Sequence, residues 1–253
     1  MLKIAFDKSY KYPLAENHRF PMIKYELIPE QLLRKNICTE SSFFAPSEIS
    51  KENAILTHQD AYYERLVGLS LNKADQRQIG FPLSKPLVKR ERTIAQGSIQ
   101  NSQHALKHGI SMNIAGGTHH AFKDKPGAFC MLNDQAIAAN YLIEKRLAKR
   151  VMIVDLDVHQ GNGTASIFKD NDNVYTLSFH GKKNYPFIKQ KSDFDLAFED
   201  GTTDADYLKA LKYELPKQVD AFEPNFIFYL AGVDVLKNDK LGRLSLSIQG
   251  CKE

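Results

Sequence analysis

Residues 151–164 read VMIVDLDVHQGNGT, and this stretch decides the fold. Its first four residues are all apolar, as a strand buried on both faces must be, and polarity then arrives in Asp155, Asp157 and His159. Runs of the same form occur at 110–115, 174–179 and 226–231, with a shorter one at 3–6. Between them lie stretches with helical spacing. Ala136, Asn140, Ile143 and Leu147 recur within 133–150. Leu208, Leu211, Leu215, Val219 and Phe222 recur within 203–222, where Pro216 is expected to kink the helix. Doubly apolar strands alternating with helices predict an α/β fold of three layers, a mostly parallel sheet with helices on both faces.

Upstream, 28–71 has a helical pattern, with Pro46-Ser47 expected to open one helix and Thr57 to cap the next. Residues 72–85 carry Gly80 and Pro82 and read as a surface loop, and 87–108 as a long helix. No repeat, low-complexity tract or Gly/Ser linker interrupts the chain, so residues 1–253 are expected to form a single domain.

Composition narrows the class. The 253 residues are 43% hydrophobic and 25% charged, and 15 Phe and 11 Tyr give too much buriable aromatic surface for a disordered chain. A net charge of +4 is too small to indicate a nucleic-acid partner. No apolar run approaches the ~20 residues of a membrane span. Charge returns directly after Ile4, Ala5 and Phe6, so no secretory signal is expected. Cys38, Cys130 and Cys251 are odd in number and scattered, which suits a reducing, cytoplasmic setting better than a disulfide framework.

Ligands in parallel sheets bind beyond the carboxyl ends of the strands. Four apolar runs end in chemistry-bearing residues there: GGTHH (116–120), DLDVHQGNG (155–163), SFH (178–180) and AGVD (231–234). In extended backbone Asp155, Asp157 and His159 would point to one side, bringing two carboxylates and an imidazole together. Crowded carboxylates need a compensating cation. Asp and His donors suit Zn²⁺, or Fe²⁺ in a reducing cell, and Asp234 at another strand end is the best further ligand. The plainer alternative makes Asp155 and Asp157 caps of a helix opening near Thr164, with His159 on the surface. The neighbouring Asp234 and His119-His120 argue against it. That tandem pair, in a Gly-rich turn, could be solvated loop residues or a general base with an electrostatic partner, held by Asp155 and Asn162.

Other polar groups read as structural. His180 follows a buried strand and is expected to be a hydrogen-bonded core residue. His104 and His108, four apart on a helix, have no third ligand nearby in sequence and are expected at the surface. Cys130 has no base placed to activate it and reads as a buried thiol. The acidic stretch 193–206 reads as a solvated surface.

These motifs resemble the histone deacetylase superfamily, in its bacterial and class IV-like branch. The resemblance rests on GGTHHAF (116–122), AFCMLND (128–134), DLDVHQGNGT (155–164), LSFH (177–180) and AGVDVL (231–236), with HRFPMIKY (18–25) at the N-terminal side. It runs along the whole chain, with the motifs in the family's order. It implies an arginase/deacetylase-like fold and zinc-dependent removal of acetyl or acyl groups from amines, the partner being an acetyl-lysine protein or a small acetylated amine. By motif position, Asp157, His159 and Asp234 match the metal ligands. His119 and His120 match the tandem histidines, His120 being the more direct base and acid. Asp155 matches the carboxylate behind His119 and, with Ser178, a site for K⁺ or Na⁺. Asn162 stands where some relatives carry Asp behind the second histidine. Phe129 and Tyr185 resemble the aromatic walls of the substrate tunnel.

The resemblance also implies further strands, a helix and a Gly-rich turn bearing an oxyanion-binding Tyr, beyond the end at Gly250-Cys251-Lys252-Glu253. The last strands and helix of the fold are therefore expected to be missing from this chain. Loss of one oxyanion donor lowers a rate on the order of 10²–10³-fold, so an acyl-lysine-binding module with impaired chemistry is the alternative expectation. An arginase-like two-metal hydrolase would need more Asp ligands than the strand ends supply.

Overall fold

A computed structural model of the chain describes residues 2–253. It divides into two compact units, 1–141 and 142–253. Their sheets are parallel, with helices on both faces.

The first unit is built on β1 (Lys3–Ala5), which pairs in parallel with β2 (Phe43–Phe44) on one side and β3 (Ser111–Asn113) on the other. Helices α1 (Lys24–Arg34), α2 (Lys51–Ala54), α3 (Asp60–Val67), α4 (Lys73–Ile79) and α5 (Lys85–His108) precede β3. Helix α5 is the scaffold. Ser84 caps it by accepting from Leu87 N, Pro86 fits its first turn, and Gly109 (φ 85°) ends it. Its buried Leu87, Ile94 and Ile99 belong to the core of this unit, and the helix packs against β1 and β3.

Several expectations change here. The strand predicted at 110–115 is only Ser111–Asn113. Pro46-Ser47 opens no helix; Ser50 caps α2 instead. Gln59 stands at the start of α3, and the Thr57 hydroxyl accepts from Asn140 Nδ2 (2.8 Å). The surface loop at 72–85 holds α4, which Asn72 caps through Asp75 N and Gly80 ends at φ 71°. Helix α6 (Asp134–Glu144) is shorter than its sequence pattern.

In the second unit β4 (Val151–Asp155), β5 (Val174–Gly181), β6 (Phe194–Phe198) and β7 (Phe226–Leu230) form a parallel sheet in the order β6-β5-β4-β7. β4 is buried at every position, as its sequence required. Helix α7 (Asn162–Phe168) follows β4 and packs on β5; α8 (Asp204–Phe222) and α9 (Ile248–Lys252) complete the unit. A core forms from Met152, Val154, Leu177, Phe179 and Phe198, joined by Leu211, Leu215, Val219 and Phe222 of α8. Each fully buried aliphatic side chain of this kind contributes about 1.5–3 kcal/mol. Tyr207 and Ala210, rather than Leu208, complete the α8 contribution to that core. The helix continues through Pro216. The acidic stretch at 193–206 is solvated as expected, with Asp193, Asp195, Glu199, Asp200 and Asp206 exposed, but it also holds the strand β6. His180 lies on β5 itself, where Ser178 Oγ is 3.0 Å from its Nδ1.

Candidate metal centre and catalytic histidines

Strand β4 ends at Asp155, so the alternation of an extended chain does not carry Asp157 and His159 to one side. Side chain-to-backbone turns do that instead. Asp157 N donates to Asp155 Oδ1 (3.1 Å), and His159 N donates to Asp157 Oδ1 (2.8 Å). The loop after β7 is tied to the same turn, because Val158 N donates to Asp234 Oδ1 (2.9 Å). One donor atom each from Asp157, His159 and Asp234 thereby falls within 4.8 Å of the others. His159 Nδ1 is 2.9 Å from Asp157 Oδ1 and 2.9 Å from Asp234 Oδ2. Asp155 lies outside this cluster. It is buried at the end of β4, directly opposite Ser178 in the strand register.

Two glycines make the approach possible. A β-carbon on Gly232 would stand 2.3 Å from Asp157 Oδ2, and one on Gly242 would stand 1.7 Å from the Asp234 carbonyl oxygen. Neither glycine was singled out in the sequence, although Gly232 sits inside the quoted AGVD.

The electrostatics show what the cluster suits. Burial opposes charging His159, yet its hydrogen bonds to Asp157 and Asp234, and their negative charge, push its pKa up to about 10. Asp234 is raised by burial and by the adjacent Asp157 carboxylate, with His159 acting against both. Two carboxylates thus hold a proton on an imidazole between them. One nitrogen and two carboxylate donors, half-buried and converging on one point, fit a divalent cation in place of that proton.

In the first unit, His119 and His120 are both buried, with Nε2 atoms 3.1 Å apart and ring centroids 4.1 Å apart. Such a contact needs one nitrogen to donate and the other to accept, so the pair cannot bear two full imidazolium charges facing each other. The turn before them is fixed by Asp134, at the start of α6. Its carboxylate accepts from Thr118 N (2.9 Å), Thr118 Oγ1 (2.6 Å) and Ser98 Oγ (2.5 Å). Gly116 (φ 116°) passes so close that a β-carbon there would stand 2.5 Å from Asp134 Oδ2.

His58 was missed in the sequence. It is fully buried, with Nδ1 2.8 Å from Phe122 O and Nε2 accepting from Asn133 N (3.0 Å). Those partners require Nδ1 to carry the proton, and burial lowers its pKa to about 4. It joins the segments on either side of the 123–132 loop. Nothing in its local sequence marks it, because its partners lie 64 and 75 residues away.

The hairpin bearing Phe129 packs on His120, since a β-carbon on Gly127 would stand 2.2 Å from the His120 carbonyl oxygen. Phe129 itself has φ 59°, unusual for a non-glycine residue. Tyr185, in the second unit, precedes Pro186 in a half-buried loop and lies edge-on to Phe187. Asn162 is the first residue of α7 and is buried. Gln160 is a second missed residue. Its amide makes a paired contact with Gln190, donating to Gln190 O (2.7 Å) and accepting from Gln190 N (2.8 Å), and it also donates to Asp195 Oδ1 (2.7 Å). Lys189 Nζ closes the same loop by donating to the carbonyls of Lys182, Asn184 and Pro186.

Fold and site together define a family. The family described as "Histone deacetylase domain" matches residues 18–253, and the chain belongs to it. Over 98% of its length the chain is 40% identical to an uncharacterized protein of Picosynechococcus sp., of which it covers 82%. It is 28% identical to "Histone deacetylase 2" of Arabidopsis thaliana, covering 98% of this chain and 67% of that protein. It is 26% identical to "Acetoin utilization protein AcuC" of Staphylococcus aureus, covering 98% of this chain and 69% of that one. Among solved structures, the HDAC homolog from Aquifex aeolicus superposes with a TM-score of 0.87 at 26% identity, covering 99% of this chain and 73% of that one. An HDAC homolog complexed with SAHA superposes with a TM-score of 0.87 at 26% identity, covering 99% of this chain and 73% of that one. No helix among the described residues is long and apolar enough to cross a membrane.

Proposed function

We propose that this chain is a metal-dependent deacylase that hydrolyses acetyl or other acyl groups from amines, either acetyl-lysine of proteins or small acetylated amines. The observation that carries this is the convergence of Asp157, His159 and Asp234 donor atoms within 4.8 Å. Those three residues would hold Zn²⁺ or Fe²⁺. When bound, such an ion supplies Lewis acidity toward an amide carbonyl and toward water.

The chain's own groups handle the protons. His120 accepts a proton from the attacking water as the water oxygen bonds to the carbonyl carbon, and His119 shares the imidazole pair's charge through the Nε2 contact. Returning a proton to the amine nitrogen lets the C–N bond break, so that one amide and one water give one carboxylic acid and one amine. Asp155 and Asn162 are assigned to orienting the two imidazoles. Asp155 with Ser178, its register partner, is assigned to a K⁺ or Na⁺ site. Phe129 and Tyr185 are assigned to the walls of the substrate tunnel. Because the family match runs through both compact units, residues 1–253 are taken as one deacetylase-like domain. A cytoplasmic setting is part of the same proposal.

The test is mass spectrometry of an acetyl-lysine peptide incubated with Zn²⁺- or Fe²⁺-loaded protein. Release of acetate and free lysine side chain, lost in Asp157→Asn and Asp234→Asn, is expected. Tight peptide binding without turnover would leave an acyl-lysine-binding module instead, and neither binding nor turnover would remove both assignments.

A further inference from the structure

Beside Phe129 the first unit carries a cation that no carboxylate among the described residues balances. The Arg19 guanidinium lies 5.0 Å from the centroid of the Phe129 ring. It is exposed, and no Asp or Glu among the described residues pairs with it; Glu16, the nearest acid in sequence, makes no such contact. The flanking residues hold it in place. His18 Nδ1 accepts from Phe20 N (3.1 Å), which leaves Nε2 to donate to Gly80 O (2.9 Å). The Phe20 and Phe81 rings each lie 5.1 Å from that of Phe129. Phe129 N donates to Ile79 O (3.1 Å), fixing the platform from below. Lys24 continues the same aromatic strip, 4.7 Å from the Phe20 ring and likewise without a carboxylate partner among the described residues.

A guanidinium held over an aromatic ring by cation–π attraction keeps N–H groups available to an anion, and their fork matches a carboxylate. Because the turn is already ordered, little further entropy is lost when an anion docks. His120, against which the Phe129 hairpin packs, is buried, whereas Arg19 faces solvent. A group meeting Arg19 therefore belongs to the part of a substrate that stays outside, not to the acyl group that must reach the histidines.

We infer that Arg19 is a specificity-determining residue that selects acyl-lysine peptides carrying an acidic residue beside the modified lysine, with Lys24 reinforcing the positive field. This rests on the deacylase reading and on the tunnel role assigned to Phe129.

The experiment compares acetyl-lysine peptides that differ only in Asp/Glu against Asn/Gln at the flanking positions, using metal-loaded full-length protein. The readout is the ratio of their kcat/KM values, from which the fraction of folded enzyme cancels. We expect the acidic peptides to be favoured about three- to tenfold at low salt, with the preference shrinking in 1 M NaCl. Arg19→Gln should bring the ratio close to one, and Arg19→Lys should restore part of it. A wild-type ratio of one, or an unchanged ratio in Arg19→Gln, overturns the inference while leaving the deacylase reading intact. A preference for succinyl-lysine over acetyl-lysine at equal flanks, lost with Arg19, would place the carboxylate on the acyl chain and overturn the flank assignment. If no peptide is hydrolysed the deacylase reading fails, and the same acidic-to-neutral ratio, read from dissociation constants by fluorescence anisotropy, still decides the role of Arg19.

Discussion

Gly232 and Asp157 meet with no room between them: a β-carbon on Gly232 would lie 2.3 Å from Asp157 Oδ2 and 2.8 Å from the Asp157 Cα. Backbone as well as side chain stands in the way, so the clash cannot be relieved by a rotamer change alone. Gly232→Ala should therefore move Asp157 off the point it shares with His159 and Asp234. Zinc affinity measured by chelator competition should fall at least about tenfold, as it does for disturbed ligand shells, while far-UV circular dichroism stays close to wild type. Unchanged affinity would mean that Asp157 is not a ligand.

His58 gives a pH prediction with a definite sign. Its pKa falls from an ordinary 6.5 to about 4 in the folded chain, so the folded state keeps it neutral while the unfolded state takes up a proton. Its contribution is therefore complete above about pH 6.5 and is lost as pH falls from there toward 4. Between pH 7.5 and 4.5 this group should remove about 2–3 kcal/mol from the unfolding free energy. Urea denaturation at the two pH values checks it, with His58→Gln as the comparison. The variant should start less stable and lose less on acidification; identical losses in both proteins would contradict the assignment.

The loop around Tyr185 should depend on Gln160 and Lys189, which together supply the paired amide contact with Gln190 and three bonds to loop carbonyls. Each hydrogen bond from a charged group is worth about 1.5–3 kcal/mol, and each neutral one about 1 kcal/mol. Gln160→Ala and Lys189→Met should accelerate amide hydrogen exchange selectively across 182–192. If Tyr185 walls the tunnel, KM for an acetyl-lysine peptide should rise several-fold with a smaller change in kcat. Exchange that stays at wild-type rates across that loop would show that neither residue holds it.

Much of this was legible in the sequence because buried parallel strands cannot disguise themselves. β4 and most of β5 stood out as apolar runs, and the strand-end rule brought Asp157, His159 and Asp234 together from distant positions. What escaped was written in weaker signals. β6 alternates Phe194, Leu196 and Phe198 with Asp195 and Ala197 at a sheet edge, and its acidic surroundings masked that period of two. Helix α4 is short and mostly polar, so Asn72 and Gly80 were its only marks. Asp155 shares the spacing of Asp157 and His159, but spacing alone could not show that the strand stops at Asp155 and that hydrogen-bonded turns aim the next residues. His58 and Gln160 act through partners remote in sequence, which no local pattern reports.

The central claim is that Asp157, His159 and Asp234 form one divalent-metal site, and calorimetric titration of metal-stripped protein with Zn²⁺ at neutral pH tests it most directly. Binding should saturate at one equivalent, as one cluster of three donors requires, and displace the proton that Asp157 and Asp234 favour on His159. It should release about one proton, seen as a dependence of the heat on buffer ionisation enthalpy, and vanish in the Asp157→Ala/Asp234→Ala double variant. No saturable binding, or the same stoichiometry and affinity in the double variant, would contradict it.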